Sequence, residues 1–123
     1  MAKKIMIVDD EASIRESLAG ILSDEGYIPV PVESAEKALE ALNHEKIHLV
    51  LLDIWMPAMD GLEAIGKILG LKKDIPIILN TAYSNYKEDF MSWAADAYVV
   101  KSSDLTQLKN TIRNVLDKKK SPA

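Results

Sequence analysis

Apolar and polar positions along the chain switch between two periods. Ile5-Met6-Ile7-Val8 is a short unbroken apolar run, the pattern of a strand buried on both faces. Ile14, Leu18, Ile21 and Leu22 then recur along one helix face, with Gly26 as a stop. Tyr27 to Val32 predicts a second strand. Ser34 stands as N-cap to a second helix carrying Ala35, Ala38, Leu39 and Leu42. Leu49-Val50-Leu51-Leu52 predicts the third strand. Asp60 and Glu63 form a capping-box pattern ahead of Leu62, Ile65, Ile68 and Leu69. Ile75 to Leu79 predicts the fourth strand, Tyr86, Phe90 and Trp93 a fourth helix, and Ala97 to Val100 the fifth strand. Asp104 with Gln107 caps a fifth helix bearing Leu105, Leu108, Ile112 and Leu116.

The pattern is (βα)5, with strands starting roughly every 20–27 residues. Alternation at this spacing implies right-handed crossovers and a parallel five-stranded sheet with helices on both faces, an α/β fold. Strand two differs, because Tyr27-Ile28-Pro29-Val30-Pro31-Val32 contains two prolines. In a parallel strand successive residues direct their N–H and C=O groups to alternate sides. Pro29 and Pro31 share parity, so both missing N–H groups fall on one side, while Ile28, Val30 and Val32 can still pair on the other. Strand two is therefore expected at an edge. The doubly wound, flavodoxin-like order 2-1-3-4-5 puts it there.

Composition narrows the classes without choosing one. At 123 residues, 48% apolar and 28% charged, the chain has the size and balance of one globular domain. It has no cysteine, which excludes disulfides, thiolate zinc sites and a cysteine nucleophile. Fifteen Lys and Arg against nineteen Asp and Glu give a net charge of −4, with no overall drive towards nucleic acid or an anionic membrane. No apolar run approaches the ~18 residues of a membrane span. Asp9 and Asp10 follow Val8 too soon for a signal sequence. A soluble, cytoplasmic protein is expected. Residues 1–117 are read as the domain and 118–123 as a C-terminal tail or truncated linker. Lys118-Lys119-Lys120 suits the dipole at a helix end and is too short a run for nucleic acid.

Ligands of doubly wound sheets bind at the carboxyl ends of the strands, where the order reverses, here between strands one and three. Asp9 and Asp10 end strand one and Asp53 ends strand three; Asn80-Thr81 ends strand four and Lys101 ends strand five. Any one of these residues alone reads as a cap, a turn residue or a solvated charge. Together they put three carboxylates, a hydroxyl and an ammonium on one rim. Three close anions raise one another's pKa unless a cation compensates. Oxygen-only ligands without nearby His or Cys favour Mg²⁺ over zinc. A carboxylate beside Mg²⁺ can serve as ligand or attack phosphorus, with Lys101 and Thr81 contacting phosphoryl oxygens.

At these residues the sequence resembles the receiver domain of two-component response regulators. The matching pieces are Ile7-Val8-Asp9-Asp10-Glu11, Leu51-Leu52-Asp53-Ile54-Trp55-Met56-Pro57, Met59-Asp60-Gly61, Thr81-Ala82 and Tyr98-Val99-Val100-Lys101, and the resemblance covers residues 3–117. A member of that family itself illustrates the order 2-1-3-4-5, so topology and resemblance are one expectation rather than two. The resemblance implies that Asp53 is the phosphoacceptor, charged by a histidine kinase or histidine phosphotransferase. It implies a Mg²⁺ site of Asp10, Asp53, Asp9 acting largely through water, and the backbone carbonyl of Trp55. Thr81 would be the switch hydroxyl, Tyr98 the switch aromatic and Lys101 the phosphoryl-binding lysine. The face of helix four, strand five and helix five would then control an output domain or target protein, or form a homodimer. The sequence departs from the family at one place: Ser102 and Ser103 follow Lys101 where proline is usual.

Five of the seven aromatics, Tyr83, Tyr86, Phe90, Trp93 and Tyr98, fall within sixteen residues. They serve either to pack a helix on the sheet or as anchors of that output face. Trp55 and Tyr83 stand where the family's geometry admits the hydrolytic water. Neither can position a water or act as general base, so a slow loss of the phosphoryl group is expected. His44 and His48 lack metal-ligand company and read as surface or turn residues. Two other readings stay open: a degenerate receiver acting only as a docking module, and a small aspartyl-phosphate phosphatase. The latter lacks the Asp-x-Asp pair that would supply its general acid. A nucleotide or flavin carrier would need a phosphate cradle after strand one, where Asp9-Asp10-Glu11 would repel it.

Overall fold

The structure is a computed structural model describing residues 2–52, 61–72, 74–81, 96–100 and 105–120. In chain order the elements are β1 (Lys4–Val8), α1 (Ala12–Asp24), β2 (Ile28–Val32), α2 (Ala35–His44), β3 (Leu49–Leu52), α3 (Gly61–Leu71), β4 (Ile77–Thr81), β5 (Ala97–Val100) and α4 (Thr106–Lys120). All neighbouring strands are parallel, in the order β2-β1-β3-β4-β5. The fourth predicted helix, with Tyr86, Phe90 and Trp93, lies outside the described residues, as do the caps Asp60 and Asp104. α4 runs to Lys120.

Strand alternation sorts the apolar side chains into two cores. Met6, Val8, Val50, Leu52, Ile77 and Leu79 face α2 and α3, meeting Ala35, Ala38, Leu42 and Ile68. Ile5, Ile7, Leu49, Leu51, Ile78 and Val99 face α1 and α4, meeting Leu18, Leu22, Leu108 and Ile112. Strands buried on both faces need unbroken apolar runs, which is the pattern β1, β3 and β4 carry.

Local chemistry sets the element ends. The Ser34 side chain accepts the Lys37 N–H at 3.2 Å and starts α2. α1 stops at Gly26, whose φ of 91° few other residues tolerate. There the Tyr27 N–H donates to the Leu22 C=O and the Gly26 N–H to the Ser23 C=O, both at 3.0 Å, satisfying the last carbonyls of the helix. β2 lies at the edge, as its prolines require. The Ile28 N–H donates inward to the Lys3 C=O at 2.8 Å, which turns Pro29 and Pro31 outward.

β4 corrects the expected boundary: it spans Ile77–Thr81 rather than starting at Ile75. Pro76 has no N–H for the ladder, and the Ile75 N–H turns back to the Lys72 C=O at 3.3 Å. At the opposite end of the sheet from the acidic rim, the Lys4 N–H donates to Nδ1 of His48 at 2.9 Å, and the His48 N–H returns to the Lys4 C=O. His48 is thus a turn residue, accepting through its ring. Burial, together with Lys3, Lys46 and Lys4, lowers its pKa below 6.5. Among the described residues no helix is long and apolar enough to cross a membrane.

Candidate functional site

The strand register brings the carboxyl ends of the strands level. Val8 of β1 lies opposite Leu52 of β3 on one side and Val32 of β2 on the other. Leu52 in turn lies opposite Leu79, so β4 continues two residues further, through Asn80 to Thr81. Thr81 is paired with Val100, the last residue of β5, and Tyr98 with Leu79. The chain therefore leaves β1 and β3 side by side, with the end of β4 beyond them and β5 alongside it. Of the expected site residues, the structure places Asp9, Asp10, Thr81 and Tyr98 at these positions. Asp53, Trp55 and Lys101, with Tyr83 and Ser102, lie outside the described residues.

Asp9 is the best-defined group of the rim. It is 2% exposed, one of two buried polar or charged residues among those described, the other being Asn80 at the end of β4. Its N–H donates to the Val32 C=O at 3.3 Å, extending the β1–β2 ladder by one residue. Its Oδ1 accepts the Glu11 N–H at 3.0 Å. Its C=O accepts from Nη1 of Arg15 at 2.6 Å. Asp10, by contrast, is exposed and stands over the turn into α1.

α1 begins one residue after Glu11, which makes no side-chain cap of its own. The Asp9 carboxylate takes over part of that duty from two residues upstream. The start of α1, the positive end of its dipole, thus lies just after two adjacent aspartates. Asp9 and Asp10 supply carboxylate oxygens without imidazole, a donor type that suits Mg²⁺ and not zinc. Arg15 is the residue that sequence reasoning passed over. It is the single cation of α1, six residues after Asp9, a separation that neither helix nor strand periodicity flags.

Residues 5–113 match the family model of the response regulator receiver domain. The chain belongs to that family. Among the receiver proteins it resembles is a probable transcriptional regulator, ycf27, of Porphyridium aerugineum, 38% identical over 116 residues, which are 93% of this chain and 48% of that protein. The chain spans about half the length of the curated relatives it matches. The response regulator TrrA of Thermotoga maritima, in complex with Mg²⁺ and BeF, is 48% identical with a TM-score of 0.86, covering 92% of this chain and 98% of that one. TrrA in complex with the histidine kinase ThkA matches with a TM-score of 0.85 and the same identity, covering 93% and 98%. The receiver fold is thus shared over more than nine-tenths of this chain.

Proposed function

We propose that this receiver domain is a phosphorylation-activated switch. The Asp53 carboxylate accepts a phosphoryl group from a histidine kinase or histidine phosphotransferase. The observation that best supports this is the register placing Val8 opposite Leu52, with the buried Asp9 carboxylate one residue beyond. In the transfer, an Asp53 oxygen attacks phosphorus, the P–N bond to the donor imidazole breaks, and its electron pair returns to the ring. Asp9, Asp10, Asp53 and the Trp55 carbonyl hold Mg²⁺. Bound there, the ion neutralises charge on the phosphoryl oxygens. Lys101 contacts those oxygens by charge and Thr81 by hydrogen bond. The phosphoryl group favours the conformation in which both contacts are made, shifting an existing equilibrium. Tyr98 turns inward with Thr81 and changes the face formed by the 82–95 segment, β5 and α4.

That face is the proposed contact for an output domain, a target protein or a second copy. The complex of TrrA with ThkA supports a kinase partner. The greater length of the regulators it matches supports an output domain. On this reading the protein is cytoplasmic, has no direct nucleic-acid contact in this domain, and catalyses only its own phosphotransfer and slow dephosphorylation. Intact-mass spectrometry with acetyl phosphate tests it. One phosphoryl addition is expected, dependent on Mg²⁺ and lost in Asp53→Asn. Undiminished labelling of that variant would reject Asp53. Absence of any labelling would favour a docking module, and steady turnover of an external phosphoester a phosphatase.

A further inference from the structure

Three groups of Asp9 are held by three different parts of the chain: its N–H by β2, its carboxylate by the Glu11 N–H, and its C=O by Arg15. The third is the shortest, at 2.6 Å, and the only one made by a charged side chain. The carbonyl it holds is part of the peptide unit joining Asp9 to Asp10. A peptide unit is planar, so fixing its oxygen also fixes the Asp10 nitrogen and Cα. β1 gives no such hold, because its pairing with β3 ends at Val8 and with β2 at the Asp9 N–H. Asp10 itself is exposed. The direction in which it leaves the backbone is thus set from the Asp9 side, by a guanidinium reaching back from the second turn of α1.

We infer that Arg15 is a positioning residue for the Mg²⁺ site, orienting the Asp10 carboxylate by holding the Asp9–Asp10 peptide plane. This rests on the proposed reading of the acidic rim as a Mg²⁺ site. Arg15 touches neither metal nor phosphoryl group in this role. It acts through the backbone, as groups behind metal ligands commonly do.

The sign of one measurement separates this role from the charge Arg15 also carries. A cation near the rim repels Mg²⁺, so removing it for its charge alone would tighten Mg²⁺ binding. Removing a group that orients a ligand weakens binding, typically about 10–100-fold. Mg²⁺ titration calorimetry on folded Arg15→Met decides between them. A Kd raised about tenfold or more is expected, within that range. An unchanged or lowered Kd would overturn the inference, even if Arg15→Met were less stable to urea. Arg15→Lys keeps the charge and one donor on a less rigid stem, so its Kd is expected to be intermediate, raised about threefold. Should Arg15→Met fail to fold, that variant carries the test, and a wild-type Kd in it overturns the inference. Asp10→Asn is the control for the underlying reading. If it binds Mg²⁺ like the wild type, the metal-site assignment fails. If it binds weakly while the Arg15 variants bind normally, only the role of Arg15 fails.

Discussion

One atom separates the hydrogen bond that Asp9 makes at the start of α1 from the metal role proposed for it. Its carboxylate oxygen accepts the Glu11 N–H at 3.0 Å while the residue is 2% exposed. In the proposed reading the same carboxylate serves Mg²⁺. Asp9→Ala removes both functions. Asp9→Asn keeps an oxygen in place to accept the N–H and removes only the charge. Hydrogen bonds to charged groups are worth about 1.5–3 kcal/mol and neutral ones about 0.5–1.5. In EDTA, Asp9→Ala should therefore lose about 1.5–3 kcal/mol, because Glu11 offers α1 no cap of its own. Asp9→Asn should lose about 1 kcal/mol, the difference between the two kinds of bond. Added Mg²⁺ at a hundred times the Kd should stabilise the wild type by about 2.7 kcal/mol and both variants much less. Urea unfolding with EDTA and with Mg²⁺ gives all six values. Equal losses for the two variants in EDTA would refute the capping role. A full Mg²⁺ gain in Asp9→Asn would refute the metal role.

Three further outcomes are expected. The pKa of His48 is lowered in the fold, so stability is full above pH 6.5 and falls as pH drops from there towards the folded value, where the unfolded chain alone binds the proton. His48→Asn, with an amide oxygen in place of Nδ1, should flatten that slope in urea midpoints measured against pH; an unchanged slope would assign it to other groups. Thr81→Ala should still be phosphorylated at Asp53, yet a beryllofluoride-treated sample should no longer shift the amide resonances of residues 82–104; wild-type shifts would remove Thr81 from the switch. Trp55→Asn combined with Tyr83→Ala should speed decay of the acyl phosphate, each 1.4 kcal/mol of barrier being about tenfold in rate, and an unchanged half-life would show that neither ring guards the water path.

Much of this fold was legible because its local rules agree with one another. The shared parity of Pro29 and Pro31 put β2 at an edge before any pairing was known. Gly26 and Ser34 marked a helix end and a helix start, and the structure shows the hydrogen bonds that make them so. The start of β4 was misread because apolar character at Ile75 carries no information about which N–H groups can join a ladder; Pro76 decides that. In the rim, strand ends alone were enough to place Asp9 and Asp10 just after β1 and Thr81 at the carboxyl end of β4. Arg15 was invisible for a different reason. Its partner is a backbone carbonyl across a turn, and a carbonyl has no letter in the sequence.

The outward-facing prolines of β2 have a bearing on how copies of this domain can meet. An exposed strand edge usually offers alternating donors and acceptors and invites another strand to extend the sheet. Here Ile28, Val30 and Val32 turn towards β1, and the outward positions between them, Pro29 and Pro31, have carbonyls but no N–H. A newcomer would find acceptors facing it and no donor in return, half of every ladder missing. Intermolecular sheet growth is thereby discouraged on the β2 flank. Two residues that supply no side-chain chemistry thus close one flank of the sheet to strand addition.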